Sequence, residues 1–273
     1  MASERGALPA RLMPDGWGYK GRIGLVYLHS SVVMENEMWA MAAPGVSVHT
    51  SRIRIGKINV RDIGAMVESP EFETSVRLVA EAPVDVVLFG GTSASFLHGN
   101  VWDEDTTRRM QGWSGGTPAL TTATACVRAL ASLNIGKVAL ATPYVEEVHE
   151  RCASWLAANG HPVTDGRFLS ISEDQALAEV PLADIWDLCC SVDTPDADAI
   201  FISCTNFRSI ALIEALEQEL GKPVISAIQA SMWGALKVMG VAGARPGYGR
   251  LMKDVEADIA AEPAVSVTAE TGT

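Results

Sequence analysis

The chain has 273 residues, enough for one large domain or two modest domains with a full apolar core. Its net charge of −12 disfavours nucleic acids and anionic membranes as partners, and no apolar run is long enough to span a bilayer. The five cysteines are odd in number and form no Cys-x-x-Cys pair, so we expect reduced thiols in a cytoplasmic protein.

The hydrophobic pattern predicts strands that alternate with helices, which is typical of parallel sheets. The elements predicted first, in chain order, are a strand at 23–28, a helix at 34–41, a strand at 46–55, a helix at 61–82 interrupted near Pro70, a strand at 84–89, a helix start at 103–110 and a strand-to-helix passage at 118–133. A second series follows: a strand from Lys137, a helix at 145–159, a short strand at 167–171, a helix at 173–190 broken near Pro181, a strand at 199–203, a helix at 209–220, a strand at 224–227 and a helix at 231–239.

Two segments, 84–93 and 197–206, match position by position: an Asp, four apolar residues, a small residue, a variable residue and a Thr. The variable position is Gly91 in the first segment and Cys204 in the second, 113 residues later. The strands that begin near Ile23 and Val138 also resemble each other, at an offset of 115 residues. The similar offsets indicate two similar α/β halves that face each other across one cleft, although chance similarity between buried strands is the alternative.

Cys204 follows a buried strand, and open α/β sheets bind ligands at the carboxyl ends of their strands. The predicted helix start at 209 would favour negative charge nearby and tune a thiol that gives or takes a proton. The alternative is a buried structural cysteine. Cys126 and Cys152 fall on apolar helix faces, where we expect them to be part of the core.

Three hydroxyl side chains are predicted near the same cleft. Thr92 and Ser93 follow the matching strand of the first half, where they could hold a carboxylate or an enolate oxyanion, or simply cap the next helix. Tyr144 follows the strand that opens the second half, and the alternative for it is a half-exposed position at a helix start. Because the sequence lacks a dinucleotide fingerprint, a Walker motif and histidines at metal-ligand spacing, we expect no cofactor and no metal.

Four motifs together resemble the arylmalonate decarboxylase family, whose wider relatives are maleate cis-trans isomerase and the aspartate/glutamate racemases. They are Gly-Thr-Ser-x-Ser-Phe at 91–96, Ala-Thr-x-Tyr at 141–144, Ser-Cys at 203–204 and Ala-Arg-Pro-Gly-Tyr-Gly-Arg-Leu at 244–251. The resemblance implies an α/β fold of two pseudo-symmetric Rossmann-like domains, with parallel sheets and the active site in the cleft between them. We predict one domain at 20–132 plus 228–255 and the other at 133–227, with flexible termini at 1–19 and 260–273.

The resemblance also implies roles for individual residues. Cys204 would be the proton donor, and the oxyanion would be bound by Thr92, Ser93 and Tyr144 with N–H groups near Thr205. Racemases and maleate isomerase carry a second cysteine where this chain has Gly91. The remaining residues assigned to substrate binding are Gly91, Thr205, Leu28, and the apolar pair Ile55 and Ile58 of a small pocket.

The implied activity is the cofactor-independent decarboxylation of disubstituted arylmalonates to a chiral monocarboxylic acid, through an enediolate that Cys204 protonates. The partner would be a small dicarboxylate substrate. Two departures keep alternatives open: the region around His29 looks closer to the isomerase branch but has Ser31 where an Asn is expected, and Thr205 replaces an expected glycine. The alternatives are an isomerase or racemase of a small dicarboxylate or amino acid, and a non-catalytic protein that binds small dicarboxylates.

Overall fold

Continuous apolar runs form the inner strands of two parallel sheets, as expected for strands covered on both faces. The computed structural model describes residues 17–257, so most of the predicted flexible segment 1–19 and all of 260–273 lie outside the described residues. The first sheet has the order β2-β1-β3-β4 and consists of β1 (Gly21–Leu28), β2 (Val46–Ile53), β3 (Val86–Gly90) and β4 (Ala119–Thr121). The second has the order β6-β5-β7-β8 and consists of β5 (Val138–Thr142), β6 (Val163–Phe168), β7 (Ala199–Ile202) and β8 (Val224–Ser226).

Helices connect the strands in both halves. Those between β1 and β5 are α1 (Met34–Met41), α2 (Val60–Val67), α3 (Pro70–Ala80), α4 (Thr92–Phe96), α5 (Asn100–Trp113) and α6 (Thr122–Ser132). Those that follow are α7 (Glu146–Ala158), α8 (Asp174–Glu179), α9 (Leu182–Val192), α10 (Ile210–Leu220), α11 (Ala227–Met239) and a 3₁₀ helix at Arg250–Val255. Among residues 17–257, no helix has the length and apolar character that a membrane span requires.

The two sheets share one strand order, which confirms the pseudo-symmetric α/β fold. β3 and β7 occupy the same place in their sheets, and the chain leaves them at Gly91 and Ser203 respectively. The repeated segments found in the sequence are therefore equivalent in three dimensions. Their carboxyl ends bring Gly91 and Cys204 to one cavity.

Three sequence predictions differ from the structure. The strand expected at 167–171 lies at Val163–Phe168, an edge strand whose half-exposed polar residues weaken its hydrophobic pattern. The short helix Thr92–Phe96 was not predicted at all. The last long helix begins at Ala227 rather than at 231, because the Ser226 side chain caps it in a reciprocal capping box with Gln229.

α11 follows a strand of the second half but packs on the first half. Ser231 Oγ donates to Thr122 Oγ1 at 3.2 Å, and Gly234 lies so close to α6 that an added Cβ would be 2.9 Å from Leu120 Cδ2 and 3.1 Å from Ala125 Cβ. These contacts support our proposed division, in which 228–255 belongs with 20–132 and the second domain is 133–227.

The loop after β7 is fastened to the first half by buried hydrogen bonds. Asn206 Oδ1 accepts from the backbone N–H groups of Val32 and Val33 at 2.9 and 3.2 Å, while its Nδ2 donates to the Asp174 carbonyl at 2.7 Å. Thr205 Oγ1 donates to the Gly90 carbonyl at 3.1 Å. One short loop of the second half thus bridges both walls of the cleft.

We expect Asn206→Ala to lower the free energy of unfolding by about 2–4 kcal/mol, because it removes the partner of three backbone groups, two of which are buried. Urea unfolding followed by circular dichroism measures the change. Asn36→Ala is the matched control, since this exposed asparagine bonds the Val32 carbonyl at the surface and its loss should cost about 0.5 kcal/mol or less. Equal effects of the two substitutions would contradict a bridging role for Asn206.

Candidate active site

A small, mostly enclosed cavity of about 10 Å³, room for about one water molecule, lies where the carboxyl ends of the two sheets meet. All nine residues proposed from the sequence line it. They are Cys204, Thr92, Ser93, Tyr144, Gly91, Thr205, Leu28, Ile55 and Ile58. Four further residues that were not predicted from the sequence also line the cavity: Ala94, Asp174, Leu177 and Asn206.

Cys204 has a backbone conformation that L-residues rarely adopt. Its φ is +149°. A backbone conformation of this kind costs about 1–3 kcal/mol and persists only where the surrounding structure holds it. The side chain is buried with 6% of its surface exposed, and Sγ accepts a hydrogen bond from the Asn206 N–H at 3.3 Å. The thiol is free, and it borders the cavity while its backbone belongs to the buried core.

The environment of Cys204 favours the neutral thiol. Burial raises the pKa of Cys204 to about 12, and the negative charge of Asp174 acts in the same direction. The Asn206 N–H and the Tyr144 hydroxyl favour the thiolate, but they do not outweigh burial. At neutral pH the thiol form therefore predominates, and a thiol can donate a proton but is a poor nucleophile.

We predicted from the sequence that the helix start near residue 209 favours negative charge beside Cys204. In the structure, the N-terminus of this helix binds a carboxylate of the first half instead. α10 begins at Ile210, and the Glu37 carboxylate of α1 accepts from the N–H groups of Ser209 and Ile210 at 2.8 and 3.4 Å. Burial raises the pKa of Glu37 to about 7, although these hydrogen bonds favour its charged form. The positive end of the helix dipole is thus used for contact between the two halves.

Thr92 and Ser93 begin the short helix α4. Thr92 Oγ1 is buried and makes no well-aligned hydrogen bond within residues 17–257, although it lies close enough to the Tyr144 hydroxyl to oppose the rise in the pKa of that phenol. The N–H groups of a first helical turn lack partners within the helix. Ser95 Oγ donates to the Gly91 carbonyl at 2.8 Å and accepts from the Ala123 N–H at 3.0 Å, which fixes the turn. The capping alternative is therefore wrong for the Thr92 side chain, which leaves its hydroxyl available to a ligand.

Tyr144 is buried with 1% of its surface exposed, so the half-exposed alternative is wrong. Its hydroxyl lies 3.4 Å from Ser203 Oγ, and burial raises the pKa of the phenol well above its usual value. A negative charge on the nearby Cys204 sulfur would raise the pKa of Tyr144 further. Tyr144 is therefore a neutral hydrogen-bond donor at the wall of the cavity.

Gly91 marks the matching position in the first half, and it contributes backbone alone. Its φ is −143°, which any residue adopts, so backbone conformation does not require a glycine here. A Cβ at this position would lie 3.1 Å from Phe89 Cζ and 3.2 Å from Ala94 Cβ. The space is tight but needs shifts of only a few tenths of an ångström, so a small side chain fits.

The apolar part of the cavity is made by Leu28, Ile55 and Ile58 together with Leu177. Ile58 and Leu177 are buried, with 2% and 1% of their surface exposed. A ligand in this cavity therefore meets hydroxyl and N–H donors on one side and branched aliphatic side chains on the other. A carboxylate placed among the aliphatic groups would be poorly solvated.

Asp174 and Asn206 are the polar lining residues that sequence reasoning missed as site residues. Asn206 lay inside the repeated segment, but its role depends on partners in the other half. Asp174 begins α8 and looked like an ordinary acidic residue at a helix start. Folding brings it beside Cys204, and no local pattern predicts that contact.

Comparisons with known proteins agree with this geometry. A family model described as arylmalonate decarboxylase matches residues 44–252. Arylmalonate decarboxylase from Bordetella bronchiseptica is 34% identical over 214 residues, covering 77% of this chain and 88% of that protein. Maleate isomerase from Nocardia farcinica is 32% identical over 241 residues, covering 85% of this chain and 95% of that protein. A solved structure of a variant maleate isomerase from Pseudomonas putida S16 with maleate has a TM-score of 0.80 and 26% identity, covering 85% of this chain and 97% of that one.

We expect iodoacetamide to alkylate Cys204 at pH 7.5 at least about 100-fold more slowly than free cysteine, because a thiol with a pKa of about 12 forms little thiolate there. The rate should rise as the pH rises toward 12. Mass spectrometry of digested protein gives the rate at each cysteine. Cys190, which is half-buried on α9, serves as the internal comparison and should react faster. Modification of Cys204 as fast as free cysteine would contradict the neutral thiol.

Proposed function

Because this chain belongs to the family of arylmalonate decarboxylases and maleate isomerases, we propose that it is an enzyme that decarboxylates disubstituted malonates without a cofactor. One observation carries the proposal: the cavity pairs a neutral thiol with several hydroxyl donors, while glycine stands at the matching position of the other half. Such a site can supply a proton to a carbanion from one side.

Substrate binding in this proposal separates the two carboxylates of the malonate. One accepts hydrogen bonds from Thr92, Ser93 and Tyr144 and from nearby N–H groups. The other lies against the aliphatic side chains, where its charge is poorly solvated. The negative charge of Asp174 in the same cavity makes that position still less favourable for an anion.

The reaction then proceeds in two steps. The bond between the α-carbon and the second carboxylate breaks, carbon dioxide leaves, and the electron pair remains on the substrate as an enediolate. The hydroxyl donors stabilise the developing oxyanion. The Cys204 S–H bond breaks as its proton goes to the α-carbon, and solvent later restores the proton to sulfur. Since the thiol lies on one side of the substrate, a single enantiomer is formed.

The leading alternative is an isomerase of a small dicarboxylate, supported by the 32% identity with maleate isomerase over 85% of this chain. An isomerase or racemase of this family begins with a thiolate, whereas the buried Cys204 has a raised pKa and Gly91 offers no second thiol. These two features favour decarboxylation. A protein that only binds dicarboxylates would show stabilisation by ligands and no turnover.

We expect Cys204→Ala to lower the rate of carbon dioxide release by about 10²–10⁴-fold, since the general acid is removed. The measurement uses a panel of 2-phenylmalonates, maleate and amino acids, with carbon dioxide and isomers followed separately. Cys190→Ala, a cysteine substitution remote from the cavity, should keep the wild-type rate. A wild-type rate in folded Cys204→Ala would disprove the assignment. Isomerisation without carbon dioxide would favour the alternative.

We expect Gly91→Cys to add racemase activity toward the chiral monoacid product, because a second thiol would serve the opposite face of the α-carbon. Chiral chromatography of an enantiopure product in deuterated water measures both inversion and exchange. Gly91→Ala is the control, since it adds the same Cβ and no acid–base group. Racemisation by Gly91→Ala, or its absence in a folded Gly91→Cys enzyme, would contradict the two-face geometry.

A further inference from the structure

Asp174 is a buried carboxylate on the wall of the cavity, and the proposed reaction gives neither of its oxygens a hydrogen-bond partner on the substrate. It has 5% of its surface exposed and lines the cavity together with Cys204 and three aliphatic residues of the apolar side, Ile55, Ile58 and Leu177. Acidic residues are rarely this buried without a partner for the charge. Its presence beside an apolar wall therefore needs an explanation.

The two oxygens of Asp174 have different surroundings. Oδ2 accepts hydrogen bonds from the hydroxyls of Ser30 and Ser31 at 2.7 and 2.8 Å. Oδ1 is buried and has no hydrogen-bond donor anywhere in residues 17–257. A buried carboxylate oxygen without a donor costs free energy, and on a residue that lines a cavity it marks a place for a ligand's donor.

Nothing else in the described chain completes this site. The side chain forms no ion pair with a lysine, arginine or histidine of residues 17–257, and no group of three metal-ligating side chains occurs there. The backbone is also held, because Asn206 Nδ2 donates to the Asp174 carbonyl at 2.7 Å. The side chain cannot leave the cavity without losing the bonds to both serines.

We propose that Asp174 determines substrate specificity, its Oδ1 accepting a hydrogen bond from a donor substituent, ammonium or hydroxyl, on the α-carbon of the substrate. The inference rests on the proposed function and narrows it to malonates whose α-carbon carries such a donor. A methyl group in the same place would leave Oδ1 without a partner. Sites built to hydrogen-bond a substrate group discriminate strongly against analogues that lack it.

This assignment gives each group on the α-carbon its own surroundings. One carboxylate meets the hydroxyl set of Thr92, Ser93 and Tyr144, and the leaving carboxylate meets the aliphatic wall. The donor substituent faces Asp174. An ammonium group would also balance the buried negative charge, which a methyl or aryl group cannot do.

The test measures binding of three monoacids that differ at one position: 2-phenylglycine with ammonium, mandelate with hydroxyl and 2-phenylpropanoate with methyl. Isothermal titration calorimetry gives the dissociation constants for the wild type. We expect the two donor acids to bind at least about tenfold more tightly than the methyl acid. Equal affinities, or no measurable binding of either donor acid at millimolar concentration, would overturn the proposal.

Two variants at Asp174 separate its chemistry from its shape. Asp174→Leu keeps the branching but removes the acceptor, so the preference for donor acids should vanish or reverse. Asp174→Asn retains an oxygen for the two serines and presents an N–H₂ group to the cavity, so the preference for phenylglycine over 2-phenylpropanoate should be lost. This variant provides the test if Asp174→Leu folds poorly. Leu177→Val alters the cavity without altering donors or acceptors, and it should keep the wild-type ratio of affinities.

Turnover distinguishes this proposal from the proposed function. Carbon dioxide release is measured from 2-phenylmalonates that carry hydroxyl, amino or methyl at the α-carbon. If the donor acids bind preferentially but no malonate loses carbon dioxide, the decarboxylase assignment fails and the role of Asp174 stands. If the methyl compound reacts as well as the others in both wild type and Asp174→Leu, the decarboxylase assignment stands and the role of Asp174 fails.

Discussion

The backbone of Cys204 is held at a φ of +149° by hydrogen bonds that cross between the two halves. Tyr27 donates to the Thr205 carbonyl at 2.7 Å, Thr205 donates to the Gly90 carbonyl, and Asn206 accepts from two N–H groups of the first half. These bonds offset a strain of about 1–3 kcal/mol. The position of the sulfur is thus a property of the whole assembly of two sheets, and the rest of the site is arranged around it.

Burial controls the chemistry of this site. It keeps both the Cys204 thiol and the Tyr144 phenol in their protonated forms, so two groups that could be nucleophile and base are instead donors. The duplicated fold would allow a second acid–base group opposite the thiol, but glycine stands there. The arrangement therefore suits a reaction that generates its own carbanion and needs only to stabilise it and protonate it.

Local pattern predicted the alternating strands and helices, and it singled out Cys204, Thr92, Ser93 and Tyr144 as residues that follow buried strands. The two-domain cleft and the lining residues Leu28, Ile55, Ile58 and Thr205 were assigned through the family resemblance. Buried parallel strands appear as continuous apolar runs, and the residues after them meet at one edge of each sheet. Asp174 was missed because it follows an edge strand of weak pattern, and its neighbours Ser30 and Ser31 lie more than 140 residues away. The cap that Glu37 provides for α10 depends likewise on long-range packing, which no window of sequence contains.

In our proposed division of the chain, the return of α11 to the first half makes the second half an insertion, and the chain crosses between the halves twice, after α6 and near the start of α11. Two covalent connections limit how far the two sheets can move apart. The cavity between them is mostly enclosed, so a malonate needs some separation of its walls in order to enter. We infer that such a separation would break the bonds from Tyr27 to the Thr205 carbonyl and from the Val32 N–H to Asn206, and with them the support for the backbone of Cys204. Access to the cavity and the geometry of the sulfur would then be linked, because the hydrogen bonds that join the walls also hold this strained residue.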